Sequence, residues 1–331
     1  MVSVGVIGCG KIAKVRHIPE YLNNAQAVIA GYYDPTIERA EEQAAIHGGN
    51  VYRTIEAMLE DSTIDAVSVC LANVAHAEVT VQALKAGKHV LCEKPMAASL
   101  EECVQMAETA RAQGRYLMIA HNQRLSQSHR LAKQLLDSGE IGRVLTFRTV
   151  FGHSGPENRG IHRDKPVWFF DKKQAVMGAM ADLGIHKIDL MQYLLGQSVV
   201  KMIVCTAALD KKDSVGNPIS VEDNALCILQ MSEGAMGTMA ASWTCYGQAE
   251  NSAVIYGSEG ILRIPDPWAE CLFVRRKNGE AARYETKEKR MGNGMINSGV
   301  IDEFISAIVE DRQPFISGEE ALASMRAIFY A

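Results

Sequence analysis

Short apolar runs alternate with longer amphipathic stretches over the first third of the chain. Val2-Ser3-Val4-Gly5-Val6-Ile7, Ala27 to Tyr33, Ala66 to Cys70, His89 to Cys92 and Tyr116 to Ala120 are rich in β-branched or small apolar residues, and each reads as a buried strand. Asn50 to Tyr52 is a shorter strand. Between them lie helical stretches: Thr36 to Ile46, Thr54 to Glu60 with Thr54 as cap, Ala77 to Ala86 ending at Gly87, and a helix to Ala112 that opens on Ser99. Ser99 with Glu102 has the spacing of a capping box. Strand–helix alternation with short links predicts a parallel, doubly wound sheet.

The period changes after residue 121. Helix Gln127 to Ser138 closes at Gly139, and Gly142 to Phe151 reads as a strand. A polar loop, Gly152 to Gly160, is too long for a plain connector. Beyond residue 200 the strand patterns Lys201–Ala208, Asp223–Gln230, Ala235–Thr244, Ser252–Gly257 and Gly260–Ile264 are separated by turns. Cys271–Arg275 and Ala282–Thr286 are weaker. Such a series predicts a large, mainly antiparallel open sheet with helices, an α+β domain. Met295 to Glu310 and Gly318 to Tyr330 read as closing helices. The expected division is a dinucleotide-binding domain over 1–121 and a second domain over 122–331.

Composition narrows the class. Of 331 residues, 47% are hydrophobic and 22% charged, values of an ordinary globular protein with a sizeable core. The formal net charge of -5 and the lack of a basic block argue against a nucleic-acid partner. No apolar run approaches the ~18 residues of a membrane span, and the opening residues lack the basic start of a signal peptide. The eight cysteines are scattered, with no CxxC pair. Buried, reduced thiols in a cytoplasmic protein are expected, with no metal site.

Chemistry enters at the strand ends. The first strand runs into Gly8-Cys9-Gly10-Lys11-Ile12-Ala13, the G-x-G-x-x-A form of the dinucleotide fingerprint. Gly8 would allow the tight turn, Gly10 the approach of a pyrophosphate, and Ala13 close helix–strand packing. The second strand ends in Asp34-Pro35. Asp34 is placed to accept the adenosine ribose hydroxyls and to repel a 2'-phosphate, which favours NAD over NADP; it could equally cap the next helix. Asn73, His76, Glu93, Lys94 and His121 follow later strands closely, where ligands of such sheets sit. Lys94, fixed by Pro95, could stabilise negative charge on a reacting oxygen or form a surface ion pair.

Met177 to Leu190 is the third feature. In a helix, Asp182 and His186 would share a face, with Asp189 close by. A histidine beside a carboxylate suits proton transfer near neutral pH; a plain polar stripe would show the same spacing. His153 in the polar loop, Arg124 after the sixth strand and Trp168 in Lys165-Pro166-Val167-Trp168-Phe169-Phe170 are candidates for a substrate-side wall, though aromatics there could also close a core.

These motifs together resemble the glucose–fructose oxidoreductase / inositol dehydrogenase family of NAD(P)-dependent sugar and cyclitol oxidoreductases. The resemblance runs through Gly8-x-Gly10-x-x-Ala13, Asp34, Asn73-Val74-Ala75-His76, Glu93-Lys94-Pro95 and Asp182-x-Gly184-x-His186-x-x-Asp189. It implies a Rossmann domain followed by a domain whose sheet face packs in homodimers or homotetramers. It implies NAD held by Gly8, Gly10, Lys11, Ile12, Asp34, Asn73, His76, Glu93 and Lys94. It also implies catalytic roles for His186 as general base, Lys94 polarising the oxygen, and Asp182 orienting substrate or imidazole. Three departures stand out: Gly178 is followed by Ala179 where members often have paired glycines, Ala72 replaces a proline, and the loop around His153 to His162 matches no single substrate class. The activity implied is hydride transfer between NAD and a secondary alcohol of a cyclitol or pyranose sugar. The alternatives are an NAD-retaining glycosidase working by transient oxidation and elimination, and a non-catalytic dinucleotide or sugar sensor on the same fold.

Overall fold

The computed structural model describes residues 1–158 and 167–330. The chain clusters into two compact units, one of Met1–His121 with Arg290–Leu322, the other of Asn122–Lys289 with Ala323–Ala331. Among the described residues no helix is long and apolar enough to cross a membrane.

The first unit is built on strands β1 (Val2–Ile7), β2 (Ala27–Tyr33), β3 (Asn50–Val51), β4 (Ala66–Val69), β5 (His89–Cys92) and β6 (Leu117–Ile119) in the order β3-β2-β1-β4-β5-β6. All pairs are parallel, which is the doubly wound Rossmann order. β1 and β4 are buried along nearly their whole length, as apolar strands covered on both faces must be. The capping box forms as spaced: Ser99 Oγ accepts from Glu102 N, and the Glu102 carboxylate accepts from Ser99 N.

Residues 290–322 return to this unit, beyond the expectation that it ends at residue 121. Glu20, 1% exposed, accepts from both Ser298 N and Ser298 Oγ, just ahead of helix Val300–Val309. Ile119 N donates to the Ile316 carbonyl, and a Cβ on Gly318 would press on Leu117. These contacts join segments far apart in sequence, so no local pattern announces them.

The second unit holds β7 (Val144–Gly152), β8 (Val199–Ala207), β9 (Asn224–Met231), β10 (Met236–Ser242), β11 (Ala253–Gly257), β12 (Gly260–Ile264), β13 (Cys271–Arg276) and β14 (Ala281–Glu285). Their order is β14-β13-β12-β11-β7-β10-β9-β8. Every neighbouring pair is antiparallel except β7 with β10. In β9 Ala225, Cys227, Leu229 and Met231 face the core while Leu226 and Ile228 face outward, the alternation of a half-buried strand. These outward positions are apolar.

Helix Ile185–Leu195 is buried on almost every side. Its Lys187 has no exposed surface, and its Nζ has no hydrogen-bond partner among the described residues. Burial pushes this amine from its ordinary 10.5 down to about 7, against the opposing pull of Asp266 and Glu250. Between those two values the unfolded chain binds a proton that the folded chain does not. Stability therefore rises as pH climbs from 7 toward 10.5, and the full penalty is present below 7. Lys187→Met is expected to stabilise the protein at pH 6 by on the order of 3 kcal/mol and to flatten that rise. Urea unfolding from pH 6 to 10 checks it; an unchanged or lowered midpoint at pH 6 contradicts it.

Candidate active site

In the first unit the polar residues gather at the carboxyl ends of β1, β2, β4 and β5. Gly8 has φ 95°, and a Cβ there would lie 2.5 Å from the Cys70 carbonyl oxygen; the turn after β1 is closed on its protein side. A Cβ on Gly10 would meet nothing within 4 Å, so the loop is open on the side where a pyrophosphate would approach. Lys11 is exposed and Ile12 half-buried; Ala13, fully buried, begins a π-helical turn Ala13–His17 that continues into helix Ile18–Leu22.

Asp34 is 5% exposed. Its Oδ2 accepts from Cys9 N and its Oδ1 from Thr36 N, both at 2.8 Å. One carboxylate thus ties the glycine turn to the start of helix Ile37–His47. Each oxygen keeps a second lone pair for a ribose hydroxyl. Arg39 Nη1 stands 3.7 Å from Oδ1. Buried Cys9 is pushed up to about 12 by burial and by the Asp34 charge, which makes it an inert thiol.

Asn73 opens the 3-10 turn Asn73–Ala75 and is 5% exposed. His76 donates from Nδ1 to the Pro95 carbonyl (2.8 Å), and its Nε2 lies 3.2 Å from the Leu71 carbonyl. With both nitrogens facing backbone, this ring braces the Asn73 loop against the Lys94-Pro95 turn. Glu93, counted from sequence among the cofactor residues, is held inward. His17 Nε2 donates to its Oε1 at 2.9 Å, and Lys94 N donates to its Oε2 at 3.2 Å. Behind His17 stand Ser68 Oγ at 3.1 Å and Tyr21 OH, 2.7 Å from Ser68 Oγ. Burial pushes the Glu93 carboxyl up, but the His17 hydrogen bond and the charges of His17, Lys94 and Arg16 outweigh it and hold the group below its usual range. Glu93 is therefore an anion that fixes the backbone from which half-buried Lys94 projects.

In the second unit Asp182 does not sit in a plain α-helix. Met180–Gly184 is a π-helical turn leading into helix Ile185–Leu195, so the α-helical face assumed from the spacing is rewound between Asp182 and His186. Such turns recur at functional sites. The turn is anchored by Glu222, whose Oε1 accepts from Gly178 N and Met180 N while its carbonyl accepts from Ala179 N. These are N–H groups that a helix start leaves without intrahelical partners, and the carboxylate also suits the positive helix end.

Asp182 Oδ2 accepts from Trp243 Nε1 at 3.1 Å and lies 3.8 Å from His153 Nε2. Gly155 N donates to His153 Nδ1 at 3.0 Å, so the proton of a neutral His153 ring is on Nε2, facing Asp182. His186 is 8% exposed and packs tilted against Phe151, with ring centroids 5.8 Å apart; Phe151 also meets His153 edge-on at 6.1 Å. The structure thus brings Asp182, His153 and His186 together around Phe151 and Trp243. Trp168 stacks on Phe169 at 3.9 Å, and Phe169 meets Trp243 edge-on at 6.3 Å, which joins Trp168 to the same cluster through an aromatic chain. Arg159 and Gly160 of the polar loop, and Lys165 and Pro166 ahead of Trp168, lie outside the described residues.

Arg124 departs from its substrate-side assignment. It is 4% exposed and forks onto Asp189, Nε to Oδ2 at 2.8 Å and Nη2 to Oδ1 at 2.7 Å; Ser324 Oγ donates to the same carboxylate. A bidentate buried pair of this kind orients a helix, so Arg124 and Asp189 brace helix Ile185–Leu195. Sequence reasoning missed Glu222, Trp243 and Phe151. Trp243 and Phe151 sit at the ends of apolar strands and read as core, and nothing local links Glu222 to residue 178.

Two family models match: the "Oxidoreductase family, NAD-binding Rossmann fold" over residues 2–121 and the "GFO/IDH/MocA C-terminal domain" over residues 129–263. Levoglucosan dehydrogenase of Pseudarthrobacter phenanthrenivorans is 29% identical over 78% of this chain and 72% of its own length. Inositol 2-dehydrogenase of Ralstonia nicotianae is 27% identical over 96% and 85%. A solved levoglucosan dehydrogenase, in complex with NADH and levoglucosan, superposes with a TM-score of 0.87 at 24% identity, covering 98% of this chain and 95% of that one; it shows the shared fold. The chain belongs to the GFO/IDH/MocA family of NAD(P)-dependent sugar and cyclitol oxidoreductases and is an NAD-binding oxidoreductase.

The Glu222 anchor leaves no room for a side chain opposite it: a Cβ on Gly178 would lie 1.9 Å from the Glu222 carbonyl oxygen. Gly178→Ala must push the π turn off β9's approach segment. A loss of about 2–4 kcal/mol of stability is expected, with weakened reporting of Trp243 fluorescence on its Asp182 contact. Denaturant unfolding checks it; a variant as stable as the parent contradicts the anchor.

Proposed function

We propose that this oxidoreductase oxidises a secondary alcohol of a cyclitol or pyranose sugar with NAD, with His186 as the general base. The observation that carries the reading is the clustering of His186, Asp182 and His153 around Phe151 and Trp243, in a chain whose first unit holds an open glycine turn. The relatives described above are named as dehydrogenases of levoglucosan and of inositol, which supports a ring polyol as substrate class.

The nicotinamide, when bound, supplies the hydride acceptor. The chain's residues do the rest. His186 takes the alcohol proton at a ring nitrogen as the carbon–oxygen bond gains double-bond character. Lys94 polarises that oxygen and offsets its negative charge. Asp182, fixed by the Trp243 N–H, accepts from a neighbouring substrate hydroxyl and with the His153 Nε2–H orients the ring. Asp34 receives the adenosine ribose and disfavours a 2'-phosphate; Gly8, Gly10, Lys11, Ile12 and Asn73 line the dinucleotide path. Trp168 contributes an aromatic wall for the substrate.

A panel of inositols and aldoses, offered with NAD and with NADP and followed at the NADH absorbance, tests this. Turnover of at least one polyol, ~10-fold or more in favour of NAD, is expected, with the gap narrowed by Asp34→Ser. His186→Ala is expected to lower kcat by ~100-fold or more. An inert wild-type protein, or a His186→Ala variant as active as the parent, contradicts the assignment.

The outward face of the second sheet supports a homodimer or homotetramer. Val200, Ile203, Leu226, Ile228 and Met236 are about half exposed or more (48–62%), and Ile203 pairs with Ile228 across β8 and β9. A contiguous apolar surface on a sheet marks an interaction face. Light scattering after size exclusion should give a multiple of 36.2 kDa, and Ile228→Asp should shift it toward the monomer. A monomeric wild-type protein contradicts this.

A further inference from the structure

Phe151, near the end of β7, presents one ring to three basic side chains. His153 meets its edge at 6.1 Å, His186 lies tilted at 5.8 Å, and Lys187 Nζ stands 5.8 Å from its centroid. His186 and Lys187 are sequence neighbours in helix Ile185–Leu195, and both approach that ring. Lys187 is fully buried and makes no hydrogen bond among the described residues, so a charge on it is poorly screened and reaches further than a surface charge would.

Among the described residues, further charged groups stand around this cluster. Asp182 faces His153 from the π turn. Asp189, on the same helix, is neutralised by the Arg124 fork from the 3-10 turn Asn122–Leu125. On the Lys187 side stand Asp266 and Glu250, which draw on its charge. His129, from helix Gln127–Asp137, donates its Nδ1–H to the Gln123 carbonyl at 2.7 Å. Burial and the Lys187 charge hold His129 down to about 3, so it is neutral over the working range. On the acid side of about 7, the value to which burial pushes it, Lys187 is a cation that makes no hydrogen bond among the described residues.

We propose that Lys187 sets the proton affinity of His186 and His153 from behind Phe151, its ammonium keeping both imidazoles neutral as the pH falls. It touches no substrate and acts through the imidazoles, as a positioning residue. When the amine carries its proton, a second cation on either imidazole is disfavoured, so the base remains able to accept the alcohol proton. Burial pushes the amine down to about 7; the control therefore operates on the acid side, where an imidazole would otherwise be lost as a base. The catalytic meaning rests on the reading of His186 as base given above, while the electrostatic coupling does not.

The test is an NMR titration of the full chain labelled with carbon-13 in its histidines, without substrate or cofactor. Lys187→Met and Lys187→Leu remove the charge with two different shapes. Both are expected to raise the His186 midpoint by about 0.5 pH units or more, and the His153 midpoint in the same direction. Lys187→Arg, which keeps the charge, is expected to leave the rise absent. The acid limb of kcat/KM should move with the His186 midpoint in the neutral variants. Unmoved midpoints in whichever neutral variant folds overturn the proposal, whatever the enzyme turns over. Raised midpoints in a protein inert toward every polyol uphold the coupling and overturn only the dehydrogenase reading.

Discussion

The geometry of the second unit depends on one backbone approach, Gly178 against Glu222. The carbonyl and carboxylate of Glu222 together receive three successive N–H groups, from Gly178, Ala179 and Met180. A helix start normally finds such partners in its own preceding residues; here they come from a segment 44 residues later. The cap fixes where the π turn begins, and the turn fixes which way Asp182 points. Gly184, at its end, is hemmed in: a Cβ would sit 2.7 Å from the sulfur of Met180 in the same turn and 3.3 Å from the Met239 methyl on β10. Between these two glycines the helix has one seating, and Trp243, whose N–H donates to the Glu222-neighbouring Asp223 carbonyl through its backbone and to Asp182 through its indole, locks it from the strand side.

Much of this protein is legible without coordinates, and the parts that are not share a cause. The parallel sheet, the glycine turn, the acid after β2 and the open sheet of the second unit all follow from local period and punctuation, because each is encoded within one element and its flanks. The pairing of Asp182 with His186 is legible as spacing, yet the π turn between them is not, since its cause is the remote cap at Glu222. Arg124 reads as a candidate for substrate because a cation after a strand end is common to binding and bracing roles. Only the position of Asp189 across the fold decides for bracing. Trp243 and Phe151 are invisible as site residues for the opposite reason: aromatic residues at strand ends are ordinary core until their one polar or ring contact is seen.

The first unit shows how a binding loop is held by groups that also face the ligand. Asp34 spends one lone pair of each oxygen on the protein, at Cys9 N and Thr36 N. Its orientation is set before any ribose arrives, so little reorganisation is needed on binding. Glu93 is more deeply committed: with His17 on one oxygen and the Lys94 amide on the other, it organises Lys94 and has less to offer a ligand. Ser68 and Tyr21 extend the chain inward. A substitution at Tyr21 would therefore be felt at Lys94 through hydrogen bonds alone, with no contact between the two side chains required.

A lysine sealed from water is an expensive residue, and a helix packed this tightly would accept leucine or methionine in its place. The desolvation cost falls on the native state over the whole range below its depressed titration point, so selection for stability alone would remove it. What the amine has that an apolar side chain lacks is charge, and the ring it faces is the one that His186 and His153 also face. Asp189, two residues on in the same helix, and Arg124, from the 3-10 turn Asn122–Leu125, show the usual solution for buried charge: a neutral fork with its strong acceptors met. Lys187 lacks that solution. Local rules are broken most often where a site needs a field that a relaxed interior would cancel, and the unpaired amine beside two imidazoles is such a place. Pairing it with a carboxylate would relieve the cost and remove the field together.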